Sequence, residues 1–388
     1  MTKRLKVLQV VGLMNRGGAE AMLMDIFRQT HDKMDFVFLV NDHKNVLGRE
    51  GSFDKEILAL GGKICYIGTQ GSLGPKEYIR RMKEIVAEER PNLAHCHLNA
   101  KTGFIALALH KAGVKRIIAH CHADIKFHGN PLKNFINETE VFLQKFLISR
   151  YCTDFWGCSV EANCRLFRGK DFEKSVVINN AIDCEKYELV TETEWRAVRE
   201  SYDLPENAIV LGNVGRIVAH KNIAFIVDLL VELKARGVIA YMVVAGRNDA
   251  KEYVDNMMAD AKAKGVVAQI LFLGERSDIP VVMHTFDVFV GPSIREGFGL
   301  VAVEAQAAGV PCVLYKGFPK LTDMKLGLTT YHDDFNVKNW CGSIQKYVDK
   351  SKKLDKTTIC NKIRTMGFDS TTNAEMVMKQ YGDFLYEK

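Results

Sequence analysis

Two successive runs of short apolar segments, each followed by a helix-length stretch, constrain this chain of 388 residues more than any other feature. In the first run the segments KVLQVVG (6–12), DFVFLV (35–40), KICYIG (63–68), NLAHCHL (92–98), RIIAHCH (116–122), FWGCS (155–159) and SVVINNAI (175–182) read as strands. Between them Ala19–Thr30, Pro75–Glu89, Ala100–Ala112 and Pro131–Tyr151 read as helices. The pattern restarts after a polar, acidic stretch at Glu185–Leu204, with AIVLGNVG (208–215), AYMVVAG (240–246), QILFLG (269–274), DVFVGPS (287–293) and PCVLY (311–315). Strands that are apolar throughout are buried on both faces, as in a parallel sheet covered by helices on either side. The expected fold class is therefore α/β, with two Rossmann-like doubly wound domains over residues 1–185 and 186–370. A chain of this length exceeds what one hydrophobic core serves, which also favours two domains. The amphipathic segment 371–388 is expected to be a helix that packs back on the first domain.

Several classes drop out on composition. Eight prolines and no low-complexity tract argue against a long disordered linker. Ten cysteines form no C-x-x-C pair and mostly lie in apolar runs, so they read as buried reduced thiols of a cytoplasmic protein. The basic start MTKRLKVLQVVG runs straight into a glycine-rich loop and reads as a first strand, not a signal peptide. No apolar run approaches the roughly 20 residues of a membrane span. Residues 1–190 hold 28 Lys and Arg against 22 Asp and Glu, whereas the remainder holds 25 against 25. The first half therefore faces an acidic partner, or simply carries a basic solvated surface.

Open α/β sheets bind ligands beyond the carboxyl ends of their strands, so the residues just after each strand are the candidates. After DVFVGPS comes REGFGLVAVEAQAAGVP (295–311), a loop and then a helix from about Gly299 to Ala308. Gly297 and Gly299 permit close backbone approach, and the free N–H groups of the helix start suit an anion. Glu296 and Glu304 offer carboxylates that suit vicinal diols, or serve as a dipole-matching cap and a helix-face charge. After AIVLGNVG comes GRIVAHKN, where Arg216 and Lys221 suit a pyrophosphate and its leaving-group charge, or are two solvated cations. After KVLQVVG comes LMNRGGAE, where Gly17 and Gly18 make a turn that is neither G-x-G-x-x-G nor a P-loop. That spacing argues against a nicotinamide dehydrogenase and against ATP held by a Walker lysine.

The pair Glu296/Glu304 in E-x7-E spacing, Arg216/Lys221 in GR-x4-K spacing, the early GGAE and the turn INNAID (178–183) together resemble the retaining glycosyltransferases of family four. HCHLNAKTGF and RIIAHCHAD resemble its bacterial capsular and exopolysaccharide branch, and the resemblance spans essentially the whole chain. It implies a GT-B fold and a nucleotide-sugar donor, UDP-sugar favoured, with no separate cofactor. By that resemblance Glu304 holds the ribose, Glu296 sits by the donor sugar, and the backbone at Gly297, Phe298, Gly299 and Leu300 contacts sugar or phosphate. Arg216 and Lys221 would hold the diphosphate, Gly17 and Gly18 would lie against it, and Arg276 would neighbour the base. INNAID departs from the family by placing Asn180-Ala181 where a glycine-bearing turn is usual.

His95, His97, His120 and His122 close two strands expected to be adjacent. A zinc site would need these ligands to converge, and no carboxylate or thiolate has the spacing to complete one, so no metal is expected. The resemblance places His120 or His122 by the donor sugar. Helix 131–152, with Phe135, Phe142, Phe146 and Leu147 among basic residues, either packs on the core or touches a membrane surface or lipid-linked acceptor. The sum is a retaining, metal-independent hexosyltransferase acting on a glycan or lipid-linked acceptor in bacterial surface polysaccharide synthesis. It is expected to be cytoplasmic, peripheral to the membrane, and without a nucleic-acid partner. A nucleotide-sugar epimerase or hydrolase, and a silent sugar-nucleotide-binding partner of an assembly complex, are the alternatives.

Overall fold

The computed structural model describes residues 4–15, 17–42, 50–122, 131–348 and 354–386, with the side chains of 131–137 and 383–386 left aside. The chain divides into two compact units, residues 1–181 with 370–388, and residues 182–369. Each holds one parallel sheet.

In the first unit the strands are β1 (Leu5–Val11), β2 (Met34–Asn41), β3 (Lys63–Ile67), β4 (Leu93–Cys96), β5 (Ile117–Cys121), β6 (Asp154–Gly157) and β7 (Val176–Val177), in the order β3-β2-β1-β4-β5-β6-β7. The order reverses direction between β1 and β4, which pair in register at Gln9 and His95. One face of this sheet packs on helices Pro75–Glu89 and Thr102–Lys111 through Tyr78, Met82, Phe104 and Leu109. The other packs on helix Gly18–Thr30 and on the final helix Ser370–Tyr386, whose Val377 and Tyr381 sit among Met22, Phe36, Ile118 and Trp156. The C-terminal helix thus belongs to the first unit, and Gln29 donates a hydrogen bond to Thr371 at 3.2 Å.

In the second unit the strands are β8 (Ile209–Val214), β9 (Ala240–Ala245), β10 (Ile270–Gly274), β11 (Val288–Gly291), β12 (Cys312–Tyr315) and β13 (Thr329–His332), in the order β10-β9-β8-β11-β12-β13. The reversal here falls between β8 and β11. A gap opens beside such a reversal because neighbouring strands send their chains to opposite faces, and ligands bind there. Asn213, buried near the end of β8, donates to the Val290 carbonyl at 2.8 Å and pins the two strands across it.

Strand β13 was not anticipated. Its sequence TTYH is polar and half-exposed, as an edge strand permits, and lacks the apolar run that marked the others. The segment 175–182 keeps only two residues in the sheet, and Ile182 instead bridges to Asp369. All ten cysteines are free thiols; Cys65 is half-buried, Cys164 exposed and the others buried.

Candidate functional site

In the second unit the loops that leave β8, β11 and β12 meet at the reversal of strand order. The Ile294 N–H donates to the His220 carbonyl at 2.9 Å, and the Glu296 N–H donates to the Gly317 carbonyl at 2.9 Å. These bonds tie the three loops together before any side chain is considered. A methyl at Gly317 would fall 2.2 Å from the Ser293 carbonyl oxygen, so the third loop lies flat against the second only because residue 317 is glycine.

Across this junction the Lys221 ammonium meets both oxygens of Glu296, at 2.6 and 2.8 Å. The side chains keep 17% and 9% of their surface, so the pair is largely withdrawn from water. Two of the three ammonium protons are engaged, which leaves a positive charge held in a fixed place with donor capacity to spare. His220 beside it is held below its usual pKa, first by burial and next by the Lys221 charge, with Arg295 and Arg216 adding to the effect and Glu296 opposing it. The sequence reading gave Lys221 and Glu296 separate tasks; the structure couples them.

Helix Leu300–Ala307 starts next to this pair in the chain. Its N-cap, Gly299, has φ of 79°, in the left-handed region, and supplies no side-chain cap. A methyl there would lie 2.6 Å from the Phe318 ring. No acidic residue occupies the first turn, so the helix start offers uncapped N–H groups and the positive end of the dipole. Gly297 has nothing within 4 Å of the position a methyl would take, an open place at the same end. Glu304 lies half-buried within the helix, four residues after Leu300.

Three further residues of the expected site have neighbours of their own within the second unit. The Phe298 side chain is buried in the core, stacked on Phe368 with ring centres 5.4 Å apart, so only its backbone is free to meet a ligand. Arg276 forks onto Asp278 at 2.8 and 2.6 Å. Arg216 is 62% exposed and lies 3.7 Å from Asp249. Two residues escaped the sequence reading. Gly246, after β9, has its would-be methyl 1.9 Å from the Gly215 carbonyl oxygen, so β8 and β9 converge there only as glycines. Gln306 is fully buried and holds Thr322, Met324 and Thr329 through three hydrogen bonds of 2.7–3.1 Å, fixing the segment after β12 to the helix.

In the first unit the turn after β1 leads to helix Gly18–Thr30, again with a glycine N-cap, Gly17, and no side-chain cap. A methyl at Gly18 would meet nothing within 4 Å, and one at Gly17 only the mobile end of Glu20. The protein's own packing therefore leaves Gly18 room for a side chain it does not have. Burial raises the pKa of Glu20. His97 and His122 stand one residue beyond β4 and β5, of which β4 flanks the reversal in this sheet.

The four histidines do converge, on the face covered by the C-terminal helix. His95, His97 and His120 place ligand nitrogens within 4.8 Å of one another. Their geometry nevertheless favours hydrogen bonding over chelation. His95 Nε2 faces His120 Nδ1 at 3.0 Å with the rings 5° from parallel and centres 5.1 Å apart. His97 Nδ1 faces His122 Nε2 at 2.8 Å. Nearly coplanar rings pointing nitrogen at nitrogen share one proton, whereas an ion between them needs about 2.0–2.1 Å to each nitrogen. Burial depresses all four pKa values, that of His122 to about 4, so the imidazoles are neutral. His120 is fully buried. Residues 123–130, which follow His122, lie outside the described residues.

These two glycine-capped strand–helix junctions, each at the carboxyl end of a doubly wound sheet, agree with what the chain is similar to. Residues 16–186 match the model of Glycosyltransferase Family 4, and residues 196–357 that of Glycosyl transferases group 1. "Putative glycosyltransferase EpsF" of Bacillus subtilis (strain 168) is 32% identical over 339 residues, 84% of this chain and 83% of the relative. The Staphylococcus aureus protein named Capsular polysaccharide biosynthesis glycosyltransferase CapH is 22% identical over 90% of this chain and 92% of its own. A crystal structure of Anabaena Alr3699/HepE in complex with UDP and glucose superposes with a TM-score of 0.78 at 20% identity, covering 98% of this chain and all of the other, which shows a common GT-B fold. With both sheets, both junctions and most of its length accounted for in this way, the chain belongs to glycosyltransferase family four.

Proposed function

We propose that this glycosyltransferase moves a sugar from a UDP-sugar to a glycan or lipid-linked acceptor of a bacterial surface polysaccharide, with retention at the anomeric carbon and without a metal ion. The observation that carries the reading is the Lys221–Glu296 pair beside the uncapped start of helix Leu300–Ala307. A diphosphate needs fixed positive charge and N–H donors, and this end of the second sheet supplies both. HepE is crystallised with UDP and glucose. An Escherichia coli relative, 27% identical over 61% of this chain and 62% of its own, is named UDP-Gal:alpha-D-GlcNAc-diphosphoundecaprenol alpha-1,3-galactosyltransferase. Both support a uridine donor, and the second supports a lipid diphosphate acceptor.

On this reading Lys221 neutralises the departing diphosphate and Glu296 fixes its ammonium. The uncapped N–H groups after Gly299 take phosphate oxygens, and Glu304 accepts from the ribose hydroxyls. The acceptor oxygen attacks the anomeric carbon on the face the nucleotide leaves. The C–O bond to phosphate breaks as the new one forms, and the acceptor proton passes to the departing phosphate oxygen. The enzyme contributes positioning and charge stabilisation. The exposed residues Phe142, Leu143 and Phe146, with Lys145 and Arg168 alongside, support a membrane surface as the place where a lipid-linked acceptor is met.

The test is a panel of UDP-, GDP-, ADP- and dTDP-sugars with an undecaprenyl-diphosphate-linked sugar, run in EDTA, with product mass and anomeric coupling measured. A retained anomer, UDP release that depends on acceptor, and undiminished turnover in EDTA are expected. An inverted product, loss of activity in EDTA, or donor conversion that ignores the acceptor would reject the corresponding part.

A further inference from the structure

The transfer just described has no use for most of the buried polar chain in the first unit. Six side chains from β1, the ends of β4 and β5, and the C-terminal helix form one unbranched hydrogen-bonded series: His120, His95, Tyr381, Gln9, His97, His122. The links are His120 Nδ1 to His95 Nε2 at 3.0 Å, His95 Nδ1 to the Tyr381 hydroxyl at 2.6 Å, and the Tyr381 hydroxyl to Gln9 Nε2 at 3.1 Å. They continue from Gln9 Oε1 to His97 Nε2 at 2.8 Å and from His97 Nδ1 to His122 Nε2 at 2.8 Å. Both ends are open. His120 Nε2 and His122 Nδ1 are buried and have no partner among the described residues.

Only one member of this series cannot change its donor pattern without turning its side chain over, and Gln9 points its nitrogen at Tyr381 and its oxygen at His97. A neutral imidazole moves its proton between nitrogens and a hydroxyl rotates, but an amide oxygen only accepts and an amide nitrogen only donates. Gln9 therefore dictates the rest. Its oxygen requires His97 to carry its proton on Nε2. That leaves His97 Nδ1 bare, so His122 must donate from Nε2, and His122 Nδ1 is bare. On the other side the Gln9 nitrogen donates to the Tyr381 oxygen, so the Tyr381 proton goes to His95 Nδ1. His95 then donates from Nε2 to His120 Nδ1, and His120 carries its proton on Nε2. All four imidazoles hold the same tautomer, and the two ends differ: an N–H donor at His120 and a lone-pair acceptor at His122, on rings whose centres are 4.0 Å apart.

We propose that Gln9, acting through Tyr381 and His97, is a positioning residue that locks this tautomer pattern and so presents a donor and an acceptor side by side at the carboxyl end of β5, matched to one hydroxyl group. A hydroxyl donates once and accepts, which is what the two ends together require. That the hydroxyl is a sugar's rests on the transferase reading; the tautomer pattern does not.

The test uses the whole chain labelled with 15N-histidine and two-bond proton–nitrogen correlation spectra near pH 7.5, where protonated and bare ring nitrogens resolve. The wild type alone decides the first point: all four assigned residues should show a protonated Nε2 and a bare Nδ1. Any of them found with a protonated Nδ1, or as imidazolium, overturns the assignment. In Q9E the carboxylate accepts from both sides, so Tyr381 turns its proton toward residue 9 and must accept from His95 Nδ1. His95 and His120 should therefore switch to the Nδ1–H tautomer while His97 and His122 keep theirs. A Q9E spectrum identical to wild type overturns the proposal, and Q9L, which frees both branches, should give mixed tautomers at all four. Adding UDP-sugar should shift His120 and His122 and raise the donor KM in Q9E more than it lowers kcat; no shift at either residue overturns the hydroxyl-binding half. Tautomers that follow Gln9 in a protein that turns over no UDP-sugar would fail the transferase reading and leave this one standing.

Discussion

Lysine 221 lies 2.6 and 2.8 Å from the two oxygens of Glu296, with 17% and 9% of the side chains exposed. Truncation of one partner in an exposed pair costs about 0–1 kcal/mol, and in a fully buried pair about 3–5 kcal/mol, because the survivor is left charged and undersolvated. The intermediate burial here places Lys221→Ala at about 2 kcal/mol of lost stability, most of it from the stranded Glu296 carboxylate. The double variant K221A/E296A removes that carboxylate and should return to within about 1 kcal/mol of wild type. Turnover should behave otherwise. Loss of the charge that meets the leaving diphosphate should lower kcat about 10²-fold in K221A, and the double variant should not recover it. Urea unfolding followed by circular dichroism gives the first quantity, and UDP release at saturating donor the second. A double variant that regained both stability and turnover would show that Lys221 serves only to neutralise Glu296, and near-normal turnover in K221A would dismiss its role outright.

Other outcomes follow from the same structure. Gly299→Ala forces a left-handed backbone with φ of 79° on a side chain and drives a methyl to 2.6 Å from Phe318, so a loss of about 1–3 kcal/mol is expected from the backbone alone, measured as a fall in unfolding midpoint. Gly297→Ala, with nothing within 4 Å, should change stability by less than about 0.5 kcal/mol while raising the donor KM. Gln306→Leu strands the Met324 N–H and the Thr322 carbonyl in the core and should cost about 1–3 kcal/mol for each group left unpaired. The four buried histidines have folded pKa values below the usual 6.5, His122 at about 4. The unfolded chain binds more protons there, so stability is complete above 6.5 and declines as pH falls from 6.5 toward 4, by up to about 1.4 kcal/mol per pH unit per imidazole. Unfolding midpoints that stayed level from pH 7 to 5 would contradict neutral, buried rings.

Much of the scaffold was legible because a doubly wound sheet writes itself into sequence locally. Buried parallel strands must be apolar on both faces, and the glycines at 17, 299 and 309 mark where helices start and stop. Helices Pro75–Glu89 and Pro131–Tyr151 fall where the apolar spacing put them. The candidate residues after β1, β8 and β11 were legible for the same reason, since position after a strand is a local property. What the sequence hid was pairing at long range. Nothing in VGRIVAHKN announces that Lys221 closes on Glu296, or that Arg216 in the same motif lies beside Asp249. Gln9 reads as a polar blemish in an apolar strand, and Tyr381 as one more aromatic of an amphipathic helix. Their partnership with four histidines exists only because β1, β4 and β5 lie side by side and the last helix returns to them. Strand β13 was lost because an edge strand need not be apolar.

That returning helix also sets a schedule for biogenesis. Residues 1–181 emerge from the ribosome early, yet their compact unit lacks residues 370–388 until the whole of the second unit has been made. Until then the apolar face that receives Val377 and Tyr381 is uncovered, and two imidazole branches wait without the hydroxyl that joins them. The amino-terminal unit, first to be made, is thus the last to mature, and a nascent chain halted before residue 370 would present chaperones and proteases with a finished carboxyl-terminal unit tethered to an unsealed amino-terminal one.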